Sequence, residues 1–136
     1  MTADAAREAW LLMTDLVLDN TRRREVSDAL GMSFGRTRAI RRLARAPMSM
    51  RELADALGID PPNATAVVSE LEAQGLATRR PHPTDGRAKL VEATSKGKEL
   101  ARRADDILAT PPPGLAALDA DALATLRRLL EDARSA

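Results

Sequence analysis

The chain has no cysteine and no tyrosine, one histidine, one tryptophan and one phenylalanine in 136 residues. The missing cysteines exclude disulfides, thiolate nucleophiles, Cys-ligated zinc and thiol redox sensing, and one histidine rules out a multi-His metal site. Aromatic scarcity removes the stacking platforms that hold single strands or RNA. No apolar run approaches the ~20 residues of a bilayer span. Asp4 and Glu8 stand where a secretory leader is basic, so neither a membrane span nor a signal peptide is expected, and the expected location is cytoplasmic. An enzyme needs a nucleophile, a base and an orienter, or a metal constellation, and none can be assembled from these residues. No catalytic residue, cofactor or metal site is therefore expected.

What is present is aliphatic and alanine-rich, with 44% apolar and 30% charged residues, a composition that folds and stays soluble. The length suits one domain, residues 1–136. A net charge of +1 conceals an uneven distribution: residues 1–20 carry -3, 21–51 carry +7, 52–78 carry -5, 79–98 carry +4 and 99–136 carry -2. Two basic stretches flank an acidic centre. Eighteen of the 21 cations are arginine, a bias that a GC-rich genome explains as well as phosphate recognition does.

Ala6, Ala9, Trp10, Met13, Leu16 and Val17 recur at helical spacing and predict an amphipathic helix over residues 3–18. The basic run Arg22, Arg23 and Arg24 either interrupts or continues it. After Gly31, Ser33 can cap a second helix whose apolar face is Ile40, Leu43 and Ala44 and which ends before Pro47. The rest of that helix carries Arg36, Arg38, Arg41, Arg42 and Arg45, either a solvated face or a set of phosphate contacts.

Ser49 and Glu52 form a capping box that opens a short helix with Leu53, Ala54 and Leu57 inside and Gly58 as its stop. Asp60 followed by Pro61 pairs an N-cap with proline at the first helical position, and the next helix runs over 61–74 to Gly75. Two helices joined by a tight glycine turn predict a helix-turn-helix, the second helix being the one that enters a major groove. Residues 76–80 and 88–93 are short enough to be strands, and the turn formers between them make a hairpin, or wing. Thr94 or Ser95 then caps a helix through Leu100, Ala104, Ile107 and Leu108. The run Pro111, Pro112, Pro113 and Gly114 stops it and adds a rigid extended link. A last helix begins at Asp119, with Leu123, Leu126, Leu129 and Leu130 on one stripe.

The pattern Leu71-x-x-x-Gly75-Leu76-x-x-Arg79-x-x-x-Pro83-x-Asp85-x-Arg87, followed by Thr94-x-x-Gly97, resembles the strand and wing signature of the MarR (multiple antibiotic resistance regulator) family of bacterial transcription factors. The helix order fits that family along essentially the whole chain. The resemblance implies a mainly α fold, a winged helix-turn-helix over 31–94 with a small β-hairpin wing, flanked by dimerisation helices over 1–30 and 95–136. It implies a homodimer gripping a pseudo-palindromic operator on double-stranded DNA, acting as a repressor and released by a small-molecule effector bound between the dimer helices and the winged helix. Arg87 would sit at the wing tip facing the minor groove, oriented by Asp85, the alternative being a surface arginine paired with that aspartate. Ser49, Pro61, Asn63, Ala64, Thr65, Ser69 and Arg79 would complete the DNA-binding set, with Asn63, Thr65 and Ser69 on one exposed side. Trp10, Met13, Phe34 and Met48 are core or dimer contacts, or line the effector site.

Two features depart from the family pattern. The helix over 61–74 has no basic residue and carries Glu70 and Glu72, so Asn, Thr and Ser would have to read the bases. The triple proline alters the connection between dimerisation helices. The competing function is a winged-helix module whose acidic helix meets a protein partner rather than DNA.

Overall fold

The computed structural model describes residues 1–18 and 22–136. It contains α1 (Thr2–Leu18), α2 (Arg22–Leu30), α3 (Phe34–Arg45), β1 (Met48–Ser49), α4 (Met50–Leu57), α5 (Pro61–Ala73), β2 (Ala77–Pro81), β3 (Lys89–Ala93), α6 (Ser95–Leu108), α7 (Pro113–Ala116) and α8 (Ala120–Ser135). The fold is mainly helical with a three-stranded antiparallel sheet, as the winged helix reading expects.

Local chemistry accounts for most of these boundaries. Ser33 accepts the Arg36 amide at 3.3 Å and starts α3. At α4 the capping box is complete: the Ser49 hydroxyl accepts from the Glu52 amide at 3.1 Å, and the Glu52 carboxylate accepts from the Ser49 amide at 3.2 Å. Gly58 ends α4 at φ +67°, a left-handed conformation that costs a residue with Cβ more than it costs glycine. Asp60 then caps α5 through the Asn63 amide at 2.8 Å, with Pro61 at the first helical position. Past α5, the Leu76 amide bonds back to the Leu71 carbonyl at 2.9 Å and turns the chain into β2.

The sheet has the order β1-β3-β2. β3 pairs with β2 from Ala77↔Ala93 to Pro81↔Lys89, and with β1 at Met48↔Val91 and Ser49↔Leu90. Pro81 is tolerated because β2 is an edge strand, where a missing amide breaks no ladder on the outer side. β1 is a third strand beyond the two-stranded hairpin expected from sequence. Its two residues pair only because β3 lies beside them.

The core sits where α3, α4, α5, α6 and the sheet meet. Ile40, Leu43, Leu53, Val68, Leu71 and Val91 are at most 1% exposed, and each such side chain contributes ~1.5–3 kcal/mol through burial. Thr37, the buried polar residue beside them, donates its hydroxyl to the Ser33 carbonyl at 3.1 Å. Gly97 lets α6 close on this core: a Cβ there would stand 2.1 Å from the Leu76 carbonyl oxygen and 2.9 Å from Ile40 Cδ1.

The outer elements behave differently. Neither α1 nor α8 buries a residue, and Trp10, Leu12, Val17 and Leu18 on α1 and Leu123, Leu129 and Leu130 on α8 are exposed. The basic run at Arg22 belongs to a helix of its own, α2, whose Val26 is buried. Arg22 donates to the carbonyls of Thr110 at 3.1 Å and Pro111 at 3.3 Å and pairs with Glu25, tying α2 to the segment after α6. The proline run is extended only as far as Pro112, because Pro113 and Gly114 open the helical turn α7.

Candidate nucleic-acid interface

α4 and α5 present the helix-turn-helix, and β2, β3 and their connecting loop present the wing. On α5, Ala64, Val68 and Leu71 face the core while Pro61, Pro62, Asn63, Thr65, Ala66, Ser69, Glu70 and Ala73 are exposed. Ala64 is fully buried, so its side chain cannot touch a duplex, which corrects its place in the expected set. The expected common face of Asn63, Thr65 and Ser69 also needs correction. Positions 63 and 65 are about 200° apart around a helix, whereas 65 and 69 lie one turn apart. Thr65 and Ser69 share a ridge; Asn63 instead lines a hollow with Ser33, Arg36 and Arg38 of the preceding segment and with Ala66, Val67 and Glu70.

Several of these polar groups already have partners. Asn63 Nδ2 donates to Asp60 Oδ2 at 2.8 Å, so the amide's donor side is engaged while its carbonyl oxygen keeps its acceptor capacity. Thr65 Oγ1 donates to the Pro61 carbonyl at 3.0 Å. The hydroxyl of Ser49, half-buried, is taken up in the capping box. Pro61 starts α5 on the surface.

Arg79 is placed where the sequence alone did not put it. From β2 its Nε donates to Glu72 Oε1 at 2.7 Å and its Nη2 to Ser69 Oγ at 3.2 Å, so a guanidinium lies over the exposed ridge of a helix that has no basic residue. Glu70 pairs with Arg36 of α3 in the same way. Sequence spacing hid both pairs, since they join different elements.

In the wing loop, the His82 amide donates to the Ala88 carbonyl at 3.1 Å. His82 Nδ1 accepts the amides of Thr84 and Asp85, each at 3.2 Å. The histidine thus organises the turn, a role not anticipated from sequence. Asp85 Oδ1 accepts the backbone amide of Arg87 at 3.1 Å. Asp85 therefore holds the Arg87 backbone, and Arg87 is an exposed residue of the wing loop.

The five arginines of α3 do not form one free set. Arg36 pairs with Glu70, Arg38 donates to the Leu57 carbonyl at 3.4 Å and Arg41 pairs with Asp105 of α6. On the exposed face of α6, away from this surface, a hydrogen bond from Arg102 holds the Glu99 carboxyl below its ordinary range. The four residues expected at an effector site are also divided. Trp10 and Met13 line an apolar hollow on α1 with Thr14, Val17 and Leu18. Phe34, with Arg23 stacked 4.3 Å above its ring, lines another of about 450 Å³ with Val17, Arg22, Arg38, Arg41 and Leu108. Met48 packs against the core from strand β1 and joins neither.

Residues 30–88, which span the helix-turn-helix and the start of the wing, match the sequence model of the MarR family. Over this segment, less than half of the chain, the winged helix is similar to those of the MarR family. An uncharacterised HTH-type transcriptional regulator of Mycobacterium leprae is 41% identical over 46 residues, 34% of this chain, and an HTH-type transcriptional regulator of Mycobacterium tuberculosis matches to the same extent. The match spans 32% of the length of each of those curated relatives. Among solved structures, apo MarR from Escherichia coli superposes with a TM-score of 0.74 at 21% identity, over 92% of this chain and 95% of that one. A variant of E. coli MarR complexed with operator DNA superposes at 0.64 and 20% identity, over 96% and 95%. At these identities the likeness concerns the fold. The segment that matches the family's sequence model runs from the end of α2 through α3, α4, α5 and β2 into the wing loop.

Proposed function

We propose that the chain is a homodimeric, cytoplasmic transcription regulator that binds double-stranded DNA through residues 31–94 and dimerises through 1–30 and 95–136. The observation that carries this reading is the exposed Thr65 and Ser69 ridge of α5 lying against Arg79 of β2, the strand that leads into the wing with its exposed Arg87. A ridge of small polar side chains on a helix fits a major groove, and an arginine on an adjacent hairpin fits a minor groove, where a narrow width concentrates negative potential. Dimerisation is supported by the apolar stripes of α1 and α8, which a second copy would cover.

Repression on this reading is occlusion of a promoter by an occupied operator. Relief follows when a small-molecule effector stabilises a dimer whose recognition helices have the wrong spacing. The hollow beside Phe34, bordered by outer and inner helices, is the place for such a molecule. A protein-interaction role for an acidic α5 loses its main support, because Glu70 and Glu72 are both paired with arginines.

The test is selection of bound duplexes from a random pool, followed by binding over a salt series and light scattering. An enriched palindromic sequence, binding that weakens linearly in log salt and a mass of twice 14.7 kDa are the expected results. A salt-insensitive chain with no enriched sequence would sink the DNA reading.

A further inference from the structure

Both carboxylates on the exposed side of α5 are held by arginines from other elements, Glu70 by Arg36 of α3 and Glu72 by Arg79 of β2. The second pair stands on the ridge proposed to read bases, since Arg79 also reaches Ser69 Oγ at 3.2 Å. Its two side chains are about equally accessible, 32% for Arg79 and 33% for Glu72, so solvent and a polyanion reach both. Arg79 is thus the one cation of this ridge among the described residues, and it arrives with a counter-anion attached.

We propose that Glu72 is a specificity-determining residue: it holds Arg79 over the recognition helix and releases it only to a DNA contact that out-competes a carboxylate. This rests on the reading of α5 as the helix that enters duplex DNA. When the protein meets a duplex out of register, Arg79 can reach a phosphate only by leaving Glu72 bare against a polyanion. One attraction is then exchanged for another and a repulsion is added. In register, the guanidinium fork finds two acceptors on a base edge, or a phosphate placed for it, and the exchange is favourable. The pair therefore subtracts from non-specific binding, whose strength comes from cations that displace counterions, and leaves specific binding nearly intact.

A double-mutant cycle in the full chain tests this, with Glu72→Gln, Arg79→Ala and the pair of them measured on two probes. One probe is the duplex most enriched from a random pool, the other its composition-matched scramble, each over a salt series. Glu72→Gln should tighten binding to the scramble by about fivefold and steepen its log-log salt slope by about one, because the freed guanidinium now counts as a phosphate contact. The enriched duplex should gain less than about twofold, so discrimination falls. In the Arg79→Ala background, Glu72→Gln should leave the slope unchanged. Equal gains on both probes, a gain that persists without Arg79, or no gain at all would each overturn the proposal, the second by showing plain repulsion of DNA by the carboxylate. If the parent chain binds neither probe at low salt, the DNA reading itself fails and this inference falls with it. Parent binding that is indifferent to Glu72→Gln removes the inference alone.

Discussion

The segment from α3 to α6 and the pair α1 and α8 are both helical and both amphipathic, yet the first closes a core and the second buries nothing. The difference is one of partners. Residues such as Leu53 and Val68 find apolar neighbours a few dozen positions away in the same chain, whereas the stripes of α1 and α8 face outward. Amphipathicity shows that a face must be covered, and only the packed structure shows whether the chain covers it itself.

That comparison can be broken most directly at the outer helices. Leu123→Arg together with Leu130→Arg should abolish self-association while leaving the helical circular dichroism spectrum in place. Burial of two leucines at an interface is worth ~3–6 kcal/mol before the cost of burying the charges is added. Sedimentation velocity across a concentration series measures this, and retention of a dimer by the double variant would show that α8 lies outside the interface.

Next in size is Gly97→Ala, set against Gly114→Ala. The first drives a Cβ into the Leu76 backbone and the second meets open space. Urea melts should show a loss of about 3 kcal/mol or more at Gly97, as overpacking against a rigid neighbour does, and little change at Gly114. Equal effects would mean that α6 is not closely packed on the winged helix.

Arg87→Ala sharpens the comparison on the functional side. DNA binding should weaken by ~1–3 kcal/mol and the salt slope fall by about one, while the melting temperature stays at that of the parent chain. Titrations on A·T-rich and G·C-rich flanks check this, with the larger loss expected on the former. The smallest effect is that of Ser49→Ala. Loss of the capping hydroxyl should cost ~1 kcal/mol of stability, with DNA affinity following only as far as the folded fraction falls. A Ser49→Ala variant of normal stability and impaired binding would restore Ser49 as a direct contact.

The helix ends of the winged helix were legible in the sequence because caps and turns are local. Ser33, the Ser49 and Glu52 box, Gly58, and Asp60 with Pro61 each act over three or four residues. What escaped was non-local. β1 exists through pairing with β3 some forty positions later, and the Arg79–Glu72 and Arg36–Glu70 pairs join elements that sequence spacing does not connect. The placing of Asn63 on one side with Thr65 and Ser69, and of Ala64 in the contact set, failed for a simpler reason, since a helix turns by about 100° per residue and neighbours in sequence look in different directions. His82 was legible only as a residue between prolines, because its task is to accept amides from a turn that must already be folded.

The clasp of Arg22 on the carbonyls of Thr110 and Pro111 has a mechanical meaning. Pro111, Pro112 and Pro113 have no amide hydrogens, so the chain leaving α6 cannot brace itself by continuing the helix. A guanidinium from α2 braces it instead, which makes this corner a fulcrum and α8 the lever arm beyond it. In a two-headed assembly joined through such arms, a small rotation at the fulcrum is magnified at the heads. In the proposed dimer, the distance between two reading helices would then be set in part by residues far from the nucleic acid they position.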